Sequence, residues 1–179
     1  MPQPINNALP YNLEAEQSVL GAILIDMEEQ YEIVSKLKED DFFLESHKLI
    51  FHSMSEICGS NKPVDLVTLS DDLEKKSSLE KAGGIEYVTE LARTTPSAAN
   101  YQYYLDIVKR DGTLRKLIRG AEDIIKNARV SSDRRSSVEY AEKKVYDISE
   151  ELDTSTLTNL NAEVPTILNK FENIQKDKN

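Results

Sequence analysis

Apolar residues recur at intervals of three and four along most of the chain, which is the spacing of one face of an α-helix. In the first half of the chain this pattern predicts five short amphipathic helices. Asn12 is expected to cap the first, and the third is expected to begin at Ser46 and end at Gly59 as the C′ residue. Asp65 is expected to cap the fourth, and the fifth begins near Gly84. No alternating strand pattern rivals these helices, so the pattern predicts an all-α fold.

The region from 105 to 153 carries two longer stripes. The first comprises Leu114, Leu117, Ala121, Ile124 and Ala128, and the second comprises Val138, Ala141, Val145, Ile148 and Leu152. A polar loop from Ser131 to Ser137 separates them. Two such stripes predict an extended antiparallel helical hairpin in which each stripe closes on the other.

Further apolar residues lie beside these stripes. Ile118 and Ile125 follow stripe residues directly, and Tyr140 and Tyr146 lie off the second stripe. A bare hairpin would leave them in water, so together with Leu114 they form a predicted interface for a second copy or another helical partner. The alternative is that they fold back onto the preceding helices.

The tail, residues 154–179, is predicted to be a linker followed by a short amphipathic helix. Its apolar face comprises Ile167, Leu168, Phe171 and Ile174. A lone short helix is marginal in water, so this face is expected to dock on a partner. The alternative is a frayed terminus with accidental periodicity.

Charge supports the same division of the chain. Residues 1–104 contain 8 basic and 18 acidic side chains, whereas the later segments are each neutral, and the whole chain carries −10. We therefore predict a compact acidic helical head at 1–104, a hairpin arm at 105–153 and a linker with a docking helix at 154–179. The acidity disfavours tight DNA binding, although weak contacts remain open through the basic residues Arg115, Lys116, Arg119, Arg134 and Arg135.

Catalytic motifs are not found in the sequence. Gly83-Gly84 is followed by Ile85-Glu86 and does not form a phosphate-binding loop. His47 and His52 are five residues apart and lie on different helix faces, so no metal site is expected. Cys58 is the only cysteine, and neither a signal peptide nor a membrane span is apparent, which favours a cytoplasmic protein. The sequence indicates an interaction module and not an enzyme; a small helical hydrolase is a less favoured alternative.

Several blocks of residues nevertheless resemble a known family. They run in order through the first 130 residues: 13–21 (LEAEQSVLG), 41–43 (DFF), His47, 63–68 (PVDLVT), 83–87 (GGIEY), 95–100 (TPSAAN), 104–108 (YLDIV) and 114–118 (LRKLI). This series resembles the N-terminal domain, with its linker helix, of the bacterial replicative DNA helicase of the DnaB type.

The resemblance implies a specific assembly. In that family the hairpins of two subunits pair, and three pairs form the collar of a hexameric ring, so the first expected partner is a second copy of this chain. The linker helix docks on the neighbouring motor domain. The ATPase motor, which uses ATP and Mg²⁺, follows that helix, so no cofactor is expected within these residues.

The resemblance also implies that the collar receives primase and, in some bacteria, a helicase loader. Positions that match the primase contact of the family are Glu14, Tyr87, Ile118 and Ile124. For Tyr87 the alternative is a role in the core of the head. A second hypothesis for the whole chain is the reciprocal partner, the helicase-binding C-terminal domain of a primase.

Overall fold

A computed structural model describes residues 8–95 and 100–150 of the chain. These residues form seven α-helices and no strand, which confirms the all-α class. The helices are α1 (Leu13–Ile25), α2 (Gln30–Ser35), α3 (Glu45–Gly59), α4 (Leu66–Lys75), α5 (Gly84–Thr94), α6 (Tyr101–Val130) and α7 (134–150), with a 3₁₀ turn at Glu39–Asp41 before α3.

Two helix starts follow directly from their caps. The Asn12 side chain accepts a hydrogen bond from the Ala15 backbone N–H at 2.9 Å. Asp65 accepts from the N–H groups of Val67 and Thr68, and the Thr68 hydroxyl accepts from the Asp65 N–H at 2.9 Å. Each cap satisfies backbone donors that the first helical turn leaves unpaired, so both predicted starts are confirmed.

The end of α3 differs from the prediction. The helix begins at Glu45 and includes Gly59 as its last residue, and Ser60 follows as the cap. The left-handed conformation falls on Asn61, whose φ is 57°. Asparagine tolerates this conformation better than most residues, so the chain turns there without a glycine.

The head packs around α1, which lies against α2, α3 and α5. Gly21 allows α1 and α5 to touch, because a Cβ at this position would lie 1.9 Å from Thr95 Oγ1 and 2.4 Å from the Leu91 carbonyl oxygen. Around this contact the core is continuous; among its fully buried members are Val19, Leu20, Ile23, Ile33, Ile50, Met54, Leu69, Leu73 and Val88.

The division between the two compact units lies at Lys116 and Leu117, later than the charge boundary after residue 104. The reason is that the first half of α6 packs with the head: Leu105 and Val108 are buried in its core. Helix α6 also continues through Gly112. A Cβ there would lie 2.9 Å from the Asp41 Cα, so this glycine permits a close approach.

The second unit contains the rest of α6 and α7, which run antiparallel. Gly120 lies opposite Ile148, and Lys144 forms an ion pair with Asp123 at 3.3 Å. The predicted hairpin is therefore present over the described residues, which end at 150. None of the described helices has the length and apolar character needed to cross a membrane.

Some expectations lie outside the described residues. They are the linker and the docking face of Ile167, Leu168, Phe171 and Ile174.

Candidate partner-docking surfaces

The hairpin seam differs from the predicted one. Of the first stripe only Ile124 is half-buried; Leu114, Leu117, Ala121 and Ala128 are exposed. In the second stripe Val138 and Val145 are exposed as well. Ala141 and Ile148 are half-buried, so the two stripes do not close on each other over most of their described length, contrary to the expectation. Contacts within the hairpin include those of Gly120 with Ile148 and of Asp123 with Lys144, because the missing side chain of the glycine lets α7 approach on this neighbouring face.

Exposed residues of the first stripe and the isoleucines beside it form a continuous apolar face on α6. At 100° per residue, Leu117, Ile118, Ala121, Ile125 and Ala128 fall within about one third of the helix circumference. All five are exposed, and Ile125 is exposed over 50% of its surface. We call these five residues the α6 face.

Helix α7 carries a matching apolar strip. Val138, Val145 and Tyr146 are exposed, the last over 64% of its surface. Ala141, Val145 and Tyr146, with Glu142 and Ser149, line a shallow, mostly apolar groove. We call Val138, Ala141, Val145 and Tyr146 the α7 face.

The predicted interface residues are placed as follows. Leu114, Ile118, Ile125 and Tyr146 are exposed, whereas Tyr140 is half-buried, with the Lys144 ammonium 5.7 Å from its ring centroid. The Tyr140 ring is thus partly covered by Lys144, four residues later on the same helix. Ile118 and Ile124 belong to the second unit, and Glu14 and Tyr87 to the first.

A buried polar network surrounds Tyr87. The Glu16 carboxylate, 2% exposed, accepts from the Phe43 N–H at 2.7 Å and from His47 Nδ1 at 2.6 Å. His47 is fully buried, and its Nε2 lies 2.6 Å from the Tyr87 hydroxyl. The Gln17 amide also donates to that hydroxyl, at 3.2 Å. The network joins α1, α3 and α5.

One assignment of protons satisfies every member of this network. A carboxylate only accepts, so His47 Nδ1 carries the proton that Glu16 receives. With the imidazole neutral, Nε2 accepts the phenol proton of Tyr87, and the Tyr87 oxygen accepts from Gln17. The buried carboxylate of Glu16 is tolerated because hydrogen-bond donors surround it.

The ring of Tyr87, like its hydroxyl, is in contact with neighbouring groups. It stacks on the His47 ring, with centroids 5.9 Å apart and planes 6° apart. On the backbone side it lies against Gly83, where a Cβ would come within 2.8 Å of the tyrosine Cδ1. Gly83 also has a φ of 103°, which favours glycine.

Arg115 is not available as a DNA contact. It is only 2% exposed, and its guanidinium donates to the backbone carbonyls of Pro10 at 2.7 Å and Asp41 at 2.6 Å. It also lies 5.7 Å from the Phe43 ring centroid. Lys116 is half-buried, and the exposed residues among the five candidates are Arg119, Arg134 and Arg135.

Asp41 is another buried group in this area. Its carboxylate accepts from the Lys38 N–H at 2.8 Å, and burial raises the pKa of its carboxyl group. The neighbouring Asp40 is exposed. Cys58 is buried too, which raises the pKa of its thiol. The described residues contain no group of three or more potential metal ligands.

The pairing of Glu16 with His47 was not predicted from the sequence. A pattern for both residues was available. Glu16 precedes Leu20 by four residues on the buried face of α1, and His47 precedes Ile50 and Phe51 on the buried face of α3. Ionisable residues inside an apolar stripe indicate buried partners.

A family model matches this chain. The model of the DnaB-like helicase N-terminal domain matches residues 8–110. The chain is 41% identical to the replicative DNA helicase DnaB of Buchnera aphidicola subsp. Baizongia pistaciae over 145 residues, and 34% identical to the replicative DNA helicase DnaC of Bacillus subtilis over 174 residues. These alignments cover 80% and 96% of this chain but only 31% and 38% of the relatives.

Two solved structures of DnaB-type helicases also match this chain. The N-terminal domain of DnaB helicase from Mycobacterium tuberculosis superposes with a TM-score of 0.74 at 29% identity, covering 79% of this chain and 99% of that domain. A DnaB-like replicative helicase, described together with its interactions with primase, gives a TM-score of 0.66 at 28% identity, over 76% of this chain and 31% of that one. The chain belongs to the family of DnaB-like helicase N-terminal domains. This membership favours a helicase domain over the helicase-binding domain of a primase.

Proposed function

We propose that this chain is the N-terminal collar of a hexameric replicative DNA helicase, in which hairpins of two copies pair and three pairs complete the ring. The observation that carries the pairing is the exposed α6 face together with the α7 face. Leaving several large apolar side chains in water on adjacent helices is unfavourable, and covering them on a second copy removes that cost.

The charge of the hairpin also supports pairing with itself. Residues 117–150 contain seven basic and seven acidic side chains, so two hairpins meet without net repulsion. Two copies of the acidic head would repel each other, which makes the hairpin the better site of contact.

We further propose that the collar holds primase, and that the matched positions Glu14 and Tyr87 of the head and Ile118 and Ile124 of the hairpin take part in the contact. The similarity to a DnaB-like helicase described with its interactions with primase supports primase as the partner. ATP-driven 5′→3′ unwinding is then the task of a motor domain outside these residues, because the curated relatives are about three times as long as the matched part.

The pairing is tested by substituting Ile118→Asp and Ile125→Asp together on the α6 face. Two desolvated carboxylates at a helix pair oppose association, so the double variant is expected to sediment at the monomer mass of 20.3 kDa. Wild type is expected to sediment above that mass.

The matched control is Ser132→Asp with Ser136→Asp, which adds the same charge at exposed positions outside both apolar faces. It is expected to retain the wild-type mass, and circular dichroism checks the helix content of all three proteins. Equal masses for wild type and the Ile118 and Ile125 double variant would contradict the pairing.

A further inference from the structure

The buried network at Tyr87 has an outer end at the protein surface. Glu16 and His47 are enclosed, whereas Tyr87 is half-buried and Gln17 is half-buried beside it. The contacts therefore run from the interior of the head, through two ionisable side chains, to one surface tyrosine.

The hydroxyl of Tyr87 is already engaged. With the neutral imidazole assigned above, it donates inward to His47 Nε2 at 2.6 Å and accepts from the Gln17 amide at 3.2 Å. A phenol has one proton to donate, so this hydroxyl has no donor left for a partner. What Tyr87 can offer at the surface is the carbon edge of a ring that His47 and Gly83 hold in place.

An acidic side chain accompanies that ring. Glu14 is exposed and precedes Gln17 by three residues on α1, so the two lie on the same helix face. Gln17 contacts Tyr87, which places the Glu14 carboxylate on the same side of the head as the tyrosine. The surrounding head is strongly acidic, with 18 acidic against 8 basic side chains in residues 1–104.

We infer that Glu16 and His47 are positioning residues, which hold Tyr87 with its hydroxyl inward so that a protein partner meets an apolar ring edge beside the Glu14 carboxylate. The complementary partner presents an apolar side chain to the ring and a basic side chain to the carboxylate. This inference rests on the proposed function, because the occupant to which it commits is the helical C-terminal domain of the cognate primase.

The test is a double-mutant cycle on the affinity for that primase domain, measured by calorimetry with the full chain. His47→Asn, whose shorter amide can still donate to Glu16 but does not reach Tyr87, and Tyr87→Phe each remove the inward bond. Each is expected to weaken binding about 2–10-fold, the range for one hydrogen bond. The double variant is expected to bind primase no more weakly than the single variant with the lower affinity, because both substitutions break the same bond.

Three further variants test the roles of the Tyr87 ring and the Glu14 carboxylate and provide a control. Tyr87→Ala removes the ring and is expected to weaken binding about 30-fold or more. Glu14→Gln is expected to weaken binding and to reduce its dependence on salt. His52→Asn, at the histidine of the same helix whose side chain is 43% exposed, is the matched control and is expected to bind like wild type.

Additive losses in the cycle, or unchanged affinity in both His47→Asn and Tyr87→Phe while wild type binds, would overturn the positioning role alone. If His47→Asn fails to fold, Tyr87→Phe decides by itself, since it leaves the Glu16–His47 pair in place. No binding by wild type would instead overturn the primase assignment, and the inference with it.

Discussion

At the scale of single residues, two helical glycines have opposite surroundings. Gly21 lies where α1 touches α5, and an added Cβ would meet Thr95 and the Leu91 carbonyl well inside contact distance. Gly59 ends α3, and an added Cβ there would meet nothing within 4 Å. The same substitution therefore has opposite expected effects at the two sites.

Gly21→Ala is expected to lower the free energy of unfolding by about 1–3 kcal/mol or more, because α1 and α5 must separate. Gly59→Ala is expected to raise it by up to about 1 kcal/mol, through the better helix propensity of alanine. Urea denaturation of both variants and wild type measures the two differences. A Gly21→Ala protein as stable as wild type would show that the helices are not in contact there.

The contacts of buried polar residues could not be predicted from the sequence. Arg115 fits equally well on an exposed basic face or in a buried site, because its long side chain has both uses. Its actual role depends on two backbone carbonyls, at Pro10 and Asp41, that are distant in sequence. Only the fold brings these atoms together, so spacing along α6 could not identify the contact.

At the scale of elements, the cap of α4 gives a pH-dependent prediction. Hydrogen bonds from the Thr68 and Val67 backbone lower the pKa of the Asp65 carboxyl below its ordinary value of 3.8. A lowered pKa in the folded state means that the cap stabilises the protein above pH 3.8, and that this contribution is lost as the pH falls through the folded-state pKa.

Asp65→Ala is expected to lower the free energy of unfolding by about 1 kcal/mol at neutral pH, and Asp65→Asn by only a few tenths, since asparagine also caps helices. The difference between wild type and Asp65→Ala is expected to shrink below pH 3.8. Thermal unfolding across pH 2–7 measures it. A difference that stays constant with pH would rule out the carboxylate as the cap.

The helices themselves were predictable, whereas the pairing of their faces was not. Apolar spacing and caps such as Asn12 and Asp65 are local, so they indicate where helices begin. The hairpin seam depends on Gly120, which lets α7 approach a face next to the heptad stripe. Periodicity defines an apolar face but does not say whether it is covered within the chain or by another copy.

At the scale of the whole molecule, charge predicts a weak interaction with DNA. The chain carries −10, Arg115 is buried, and the exposed candidates Arg119, Arg134 and Arg135 are few. Fluorescence anisotropy with a single-stranded oligonucleotide at physiological salt is expected to show weak or undetectable binding. Submicromolar affinity under these conditions would contradict the prediction.

The central claim is that the apolar faces of the hairpin are covered by a second copy of the chain. A single nitroxide label at Lys143→Cys, in a chain that also carries Cys58→Ala, measures this directly, because any dipolar coupling must come from another copy. Lys143 is exposed and lies outside both apolar faces; a label at Lys81, exposed on the head, is the comparison. The account predicts one defined distance for the hairpin label, which is lost when Ile118→Asp and Ile125→Asp are added. No coupling at position 143, or coupling that survives those substitutions, would contradict it.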